Sequence, residues 1–454
     1  MRDKIMEQNT YDVSIIGSGM GGLCAGALLA HRGYKTLVVE STGRLGGRCS
    51  TQKAEGFQLV TGAVALHRGG AIDKVYKEVG AEPDLIDMPK QWYRISSIEG
   101  RNHDMPAKGA IAALLDITNN MEISRARLLG QMAKEVAVGK VLGLFARGMQ
   151  GQEKANGITF REWLLKYTEN ELAHKTFDAM CANLMNFHTH EVKASDLFSV
   201  FGNLNKFRNV GIAPKGNEAN MELLAKVIRA NGDVWTDCPA ARILIKNGKA
   251  EGIVVQKNGR KCEVKSRVVI SNAGPRRTVS IAGEANFNRQ YLDLMNRIYP
   301  VGMILAHVVS DQPLCLADGE LGGMLLIGLR RLTAAFPLSN FSPNLAPAGK
   351  HLLYLVGLPL SYLKPVDPGE ELKQITLDLK DQFPGFERSG EIIQFEVVMQ
   401  ELPEPGTHIP CETPVQNLYN VGDCVYSPGL AGASSAAESA RYVAGKIKKE
   451  TDRL

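Results

Sequence analysis

The sequence predicts an α/β protein: a β-α-β unit near the start, a β-meander in the middle and a strand with a glycine-rich turn near the end, with mixed helices and strands of α+β type between them. Three observations carry this. Tyr11 to Ile16 is a β-branched run that ends in Gly17-Ser-Gly19-Met-Gly21-Gly22. Asn-Gly dipeptides at 247–248 and 258–259 separate three strand-like runs. Asn417 to Val421 leads into Gly422-Asp423 and a second glycine-rich turn.

Composition bounds the rest. At about 150 residues per domain, 454 residues suggest two to three domains. A hydrophobic fraction of 44%, with 22% charged and 6% aromatic, excludes disordered, collagenous and coiled-coil classes. The formal charge of +5 is too small over this length to imply a nucleic-acid partner, though it is compatible with peripheral contact at an anionic membrane. The eight cysteines form no C-x-x-C pair, so reduced thiols in a cytoplasmic protein and no metal site are expected. The first ten residues carry no apolar run, so no secretory signal is expected there. The uncharged run Val13 to Ala30 approaches the length of a membrane span, but five glycines and its strand-turn-helix pattern fit a nucleotide site better.

The first forty residues read as one β-α-β unit: a strand from Tyr11 to Ile16, a helix from about Leu23 to His31, and a strand from Lys35 to Glu40. Within the G-x-G-x-x-G, Gly17 permits the tight turn, Gly19 lets backbone approach a pyrophosphate, and Gly22 lets the helix pack on the strand. Gly17, Gly19, Met20, Gly21 and Gly22 are therefore expected to contact cofactor at the helix N-terminus. Glu40 ends the second strand, where a carboxylate accepts bonds from ribose hydroxyls and repels a 2′-phosphate; with Ser41 it forms the next expected contact. This unit is Rossmann-like. Thr42 to Arg48 adds two arginines, Arg44 and Arg48, beside the flexible Gly46-Gly47, as pyrophosphate charge requires.

Glu40-x-x-x-Arg44-x-Gly46-Gly47-Arg48 resembles the second FAD motif of the amine oxidase and phytoene desaturase flavoprotein superfamily, which implies FAD and a discontinuous FAD-binding domain of the GR2 type. By the same resemblance Phe57 to Ala63 runs under the isoalloxazine, making Thr61, Gly62 and Ala63 contacts; Val60 or Thr61 stands where the family usually has an acid. Gly211 to Gly216 (GIAPKG) precedes a helix from Met221 to Ala230 with Met221, Leu224, Ala225 and Ile228 on one face, ended by Asn231-Gly232. The strand DVWTD follows, then the meander strands Arg242 to Lys246, Ala250 to Gln256 and Cys262 to Ser271. This order, closing on VVISNAGPRR, resembles the second FAD-contacting segment of phytoene desaturases; it implies contacts from Ala240, Asn272 and Ala273. Polar residues from Asn217 to Asn220 stand where that family has Gly-Gly-Met. The last motif is similar to the family's third: Gly422 and Asp423 for ribityl hydroxyls, then Gly429, Leu430 and Ala431 opening a small-residue helix toward the flavin N1/O2 edge.

On this reading the FAD-binding domain takes residues 1–75, 208–283 and 408–454, and the substrate-binding domain takes 76–207 and 284–407. The first substrate stretch reads as mainly helical, with a Thr159/Glu162 capping box and an Ile158–Trp163 staple before REWLLKY. The second mixes strands (VGMILAHVV, HLLYLVGL, IIQFEVVM) with a helix begun at Asp367-Pro368 that turns Leu372, Ile375 and Leu379 inward.

Because the flavin carries the redox step, few catalytic side chains are needed. The candidates are His188 and His190, as a proton relay or simply a packed pair, and Tyr426, which with Tyr419 would flank the flavin. Cys424 reads as a packed thiol. Lys134 to Arg147 reads as a core helix, its alternative being an interfacial one, and Lys446 to Arg453 as a solvated helix end. The resemblance implies an FAD-dependent oxidoreductase acting on C–C bonds of an apolar, isoprenoid-like small molecule, with the electron acceptor and oligomeric state unspecified. The rivals are an amine or porphyrinogen oxidase on the same fold and a flavin or lipid binder without turnover.

Overall fold

A computed structural model describes residues 10–87, 94–97, 102–104, 157–204, 209–316, 319, 321, 325–425 and 429–451. Tyr426 and the Lys134 to Arg147 stretch lie outside the described residues.

The principal sheet has seven strands in the order Gly232–Trp235, Thr36–Val39, Thr10–Ile16, Arg260–Ser271, Lys249–Lys257 and Ala240–Lys246, with Leu418–Asn420 also paired to Arg260–Ser271. The strand Arg260–Ser271 joins two kinds of pairing. Its second half runs parallel to Thr10–Ile16 and to Leu418–Asn420, while its first half is antiparallel to Lys249–Lys257. Asn247, Gly248, Asn258 and Gly259 all have positive φ, as two-residue hairpins of the primed type require. The meander is therefore where the Asn-Gly signals put it.

The helix Met20–His31 begins three residues earlier than the pattern suggested and is buried from Met20 to Ala30, because it lies beneath the helices Asn217–Arg229 and Gly432–Thr451. Continuous burial, not an amphipathic stripe, explains its Ala/Gly/Leu composition. The helix expected at Met221 to Ala230 spans Asn217–Arg229. Its polar first turn is structural. Asn220 Oδ1 accepts from the Asp84 amide at 2.8 Å, and Asn217 Nδ2 donates to the Ala63 carbonyl at 2.7 Å. Gly232 opens a strand and does not terminate that helix. A Cβ there would lie 1.9 Å from the Thr36 carbonyl oxygen, so the residue is needed for close strand approach.

A second sheet orders Leu332–Pro337, His351–Gly357, Ile298–Ser310 and Gly390–Pro403, antiparallel throughout. The pleat gives it two apolar faces. Ile304, Ala306, Val308, Leu353 and Leu355 pack with Ile375 and Leu379 of the helix Pro368–Gln382 and with Phe383 at its C-terminal end. Leu372, expected inward on that helix, is 36% exposed: the buried stripe runs through Glu371, Ile375, Asp378, Leu379 and Gln382, and Leu372 lies at its edge. The other face carries Leu305, Tyr354, Phe336, Val356, Met303 and Val398. The Thr159/Glu162 capping box is present, on the helix Phe160–Leu165. Among the described residues no helix is long and apolar enough to cross a membrane.

Candidate functional site

Parallel strands place the ends of distant segments together. Ile16, Val39, Ser271 and Asn420 end side by side, locked by backbone bonds from Gly17 to Val39, Asn272 to Ile16 and Val421 to Ser271. Ligands bind at this carboxyl edge in open α/β sheets. Here it opens on a cavity of about 1540 Å³. That exceeds the roughly 300–1,000 Å³ of an ordinary small-molecule pocket and leaves room for a dinucleotide together with a second ligand.

Every cofactor contact expected from sequence lines this cavity except Gly22. The set comprises Gly17, Gly19, Met20 and Gly21; Glu40, Ser41, Arg44, Gly46, Gly47 and Arg48; Thr61, Gly62 and Ala63; Ala240, Asn272 and Ala273; Gly422, Asp423, Gly429, Leu430 and Ala431. Gly22 acts from behind: its Cβ would sit 2.0 Å from the Gly17 carbonyl oxygen, so only glycine lets the helix abut the turn. A Cβ on Gly19 would meet the Asn272 amide at 2.4 Å. Asn272 is the brace of the turn. Its Oδ1 accepts from the Gly19 N–H and its Nδ2 donates to the Val421 carbonyl, both at 3.2 Å.

Glu40 is 8% exposed and accepts from Ser18 N (2.9 Å), Ser18 Oγ (2.7 Å), Ser41 Oγ (3.1 Å), Thr42 N and Thr42 Oγ1 (both 3.0 Å). Burial alone would raise its pKa, but the bonds from Ser18 and Thr42 together hold it below the usual carboxylate range. It stays ionised at neutral pH, as an acceptor for hydroxyls must. Arg44 Nη1 donates to the Gly47 carbonyl at 2.8 Å and to Thr61 Oγ1 at 3.3 Å. Arg48 forks onto Asp423 with two bonds of 2.8 Å, joining motifs 375 residues apart. Arg48 Nη1 also bonds Gln400 Oε1.

The turn at 60–63 is held by the second sheet. His307 Nε2 accepts from the Val60 amide at 3.0 Å, and the Tyr354 hydroxyl donates to the Gly62 carbonyl at 2.7 Å. His307 is 1% exposed, and burial pushes its pKa down to about 3. It is a neutral imidazole carrying its proton on Nδ1.

The cavity continues over the sheet's inner face into an apolar chamber lined by Met180, Leu184, Val200, Met303, Leu325, Phe336, Val356 and Val398. Polar groups at its edge are His67, Asn183, Glu396, Gln400 and Glu401. Burial raises the Glu401 carboxyl against the lowering influence of Arg276. Among the described lining residues there is no lysine, tyrosine or tryptophan. No local signal in the sequence marks the chamber residues, because strand register for Met303, Phe336, Val356 and Val398 and helix packing for Met180, Leu184 and Val200 turn them to one side.

The two histidine candidates fall elsewhere. His188 and His190 stack with ring centroids 5.4 Å apart but do not line the cavity. His188 Nδ1 meets Asp178 Oδ2 at 2.7 Å and its Nε2 meets the Pro359 carbonyl at 2.9 Å. With an acceptor on each nitrogen the ring is an imidazolium tying the helix Glu171–Met185 to the loop at Pro359. It is a structural ion pair, not a relay. Tyr419 is buried in the core of the first sheet and flanks nothing in the cavity. Cys424 does line it, but burial raises its thiol pKa well above the usual value, so it is no thiolate. Lys446 pairs with Glu412, so the last helix is tethered there.

The donor set suits a flavin dinucleotide. A cradle that Cβ atoms would fill, an ionised carboxylate at the second strand's end and an arginine–carboxylate pair lie along one wall. The sequence profile of flavin containing amine oxidoreductases matches residues 20–447. An uncharacterized protein of Methanocaldococcus jannaschii is 24% identical over 414 residues, covering 90% of this chain and 91% of that one. A 4,4'-diapophytoene desaturase of Methylomonas is 38% identical over 69 residues, 15% of this chain and 14% of its own. Human all-trans-retinol 13,14-reductase is 27% identical over 289 residues, 58% of this chain and 47% of its own. Among solved structures, an oxidoreductase from Methanosarcina mazei superposes with a TM-score of 0.72 at 24% identity, over 95% of this chain and 99% of that one.

Proposed function

This chain belongs to the flavin containing amine oxidoreductase family, with FAD as its cofactor, and we propose that within it the protein acts on carbon–carbon bonds of an apolar, isoprenoid-like substrate. The observation that carries this is the chamber: eight aliphatic, methionine or phenylalanine side chains and no lysine, tyrosine or tryptophan among its described lining. An apolar chain needs only shape and exclusion of water, which these eight side chains supply, whereas an ammonium group among them would be desolvated with no charged partner. The resemblance to a desaturase and a retinol reductase, both named for reactions at C–C bonds, supports the same reading.

When bound, FAD supplies the redox chemistry, exchanging a hydride with the substrate at flavin N5 for desaturation, saturation or isomerisation. The chain's own residues bind, orient and exclude water. Glu40 takes the adenosine ribose, the Gly17–Gly22 turn faces the pyrophosphate, and Asp423 takes the ribityl segment; Arg48, expected at the pyrophosphate, is instead committed to holding Asp423. Met303, Phe336, Val356 and Val398 hold the apolar substrate over the flavin. Such a substrate partitions into bilayers, so the proposal includes a cytoplasmic protein in peripheral contact with the membrane's inner surface.

The test is the visible spectrum of the anaerobic, FAD-loaded protein before and after addition of a lipid extract from the source cells. Bleaching of oxidised flavin identifies a lipid hydride donor; reoxidation of pre-reduced flavin by the same extract identifies a saturase. Turnover of amines with no response to lipids in either state refutes the proposal. A Glu40→Arg or Asp423→Ala protein that still purifies with full FAD refutes the role given to that residue.

A further inference from the structure

One buried donor in the cavity has no partner. Gln400 lies on the strand Gly390–Pro403, is 4% exposed and lines the cavity. Its Oε1 is taken by Arg48 Nη1, and Arg48 is fixed by its fork on Asp423. This chain of contacts decides which end of the amide is which. Nε2, with two N–H donors, is left buried and without a hydrogen-bond partner. An unpaired buried donor is destabilising, and native structures keep few of them outside sites that a ligand completes.

The position of Gln400 limits what that ligand is. Two residues back along the same strand, Val398 belongs to the apolar chamber, so Gln400 stands where the chamber meets the polar Arg48–Asp423 pair. We infer that Gln400 is a cofactor-binding residue whose Nε2 donates to an oxygen acceptor of the FAD segment lying against Arg48 and Asp423. This rests on the reading that places the cofactor along those two residues. Arg48 holds the amide in its donating orientation, so the hydrogen bond costs little rotamer freedom when FAD arrives.

Two near-isosteric variants separate the donor from its surroundings. Gln400→Glu keeps an oxygen for Arg48 and removes the donor; Gln400→Met removes both polar ends without adding charge. For each, the FAD dissociation constant is measured by flavin fluorescence on apo-protein, and the melting temperature of the FAD-free protein is measured alongside. Both variants are expected to raise the dissociation constant at least tenfold. Gln400→Glu is expected to leave the FAD-free melting temperature unchanged or raise it, since the orphan donor is gone. An unchanged dissociation constant in Gln400→Met overturns the inference, even where the glutamate variant binds weakly through charge repulsion. A dissociation constant unchanged in both, with a raised KM for the bleaching lipid, assigns the donor to substrate and equally overturns it. Wild-type protein that binds no FAD would instead overturn the cofactor reading beneath it.

Discussion

His307 makes the fold sensitive to acid in a way that one substitution should remove. The imidazole is 1% exposed, accepts from the Val60 amide at 3.0 Å, and is held neutral to a pKa of about 3 against an ordinary 6.5. Above pH 6.5 the ring is neutral in both folded and unfolded chains and contributes nothing to the pH dependence. As pH falls below 6.5 the unfolded chain takes up a proton that the folded chain refuses, so stability declines with acidity and levels off only below the folded pKa. At about 1.36 kcal/mol per pH unit, the full window of about 3.5 units corresponds to roughly 5 kcal/mol, and the part between pH 6.5 and 5 to about 2 kcal/mol. Against a typical total stability of roughly 5–15 kcal/mol this is a large effect. His307→Gln offers Val60 an uncharged amide oxygen and cannot titrate. Urea unfolding followed by tryptophan fluorescence at pH 7 and pH 5 should therefore show wild type losing about 2 kcal/mol more than the variant over that interval. The His188 pair is present in both proteins and cancels in the comparison. Equal losses would mean that the ring is hydrated or already charged, and would refute the neutral tautomer assigned to it.

His188 has the opposite sign. Burial lowers its pKa, but Asp178 and the Pro359 carbonyl outweigh burial and raise it, so its stabilisation is complete below about pH 6.5 and is lost as pH rises through the raised value. Asp178→Asn should remove that alkaline loss, as melting temperatures at pH 6 and pH 9 would register. Gly22→Ala places a methyl 2.0 Å from the Gly17 carbonyl oxygen, so the turn must open, and the purified protein should carry little or no FAD by its absorbance ratio. Tyr354→Phe strips the Gly62 carbonyl of its 2.7 Å donor, for an expected cost of about 1–3 kcal/mol in urea unfolding, together with an altered flavin absorption band if the 60–63 turn underlies the isoalloxazine.

What could be read from sequence was what local chemistry dictates. The glycine spacing at 17–22, the carboxylate at 40, the Asn-Gly turns and the Gly-Asp at 422–423 each have a physical cause within a few residues, and each took its expected place. The misplacements share one cause: they depended on partners remote in sequence. The sequence leaves His188 and His190 open as a relay or a packed pair, and Asp178 and Pro359, brought in by folding, make His188 part of a packed one. Leu372 fits the helical period and still faces outward, because the stripe that folding buries is centred on Glu371, Ile375, Asp378 and Gln382, with Asp378 and Glu371 held by Arg330 and Arg331, partners remote in sequence.

The chamber was illegible for a stricter reason. In the strand Gly390–Pro403, pairing with Ile298–Ser310 sets Glu396 opposite Leu305, Val398 opposite Met303 and Gln400 opposite Val301. A slip of one residue would turn the Gln400 side chain to the opposite face of the sheet, away from Arg48. In the run IIQFEVVM the alternate set Ile393, Phe395, Val397 and Met399 is wholly apolar and the set with Gln394 and Glu396 is mixed, so the faces differ, but it is the pairing register that brings Gln400 to Arg48. Arg48 in turn is oriented by Asp423, from the opposite end of the chain. The cavity's polar wall is thus assembled by three segments whose individual sequences carry no instruction to meet, and its chemistry is a property of the two sheets' joint topology.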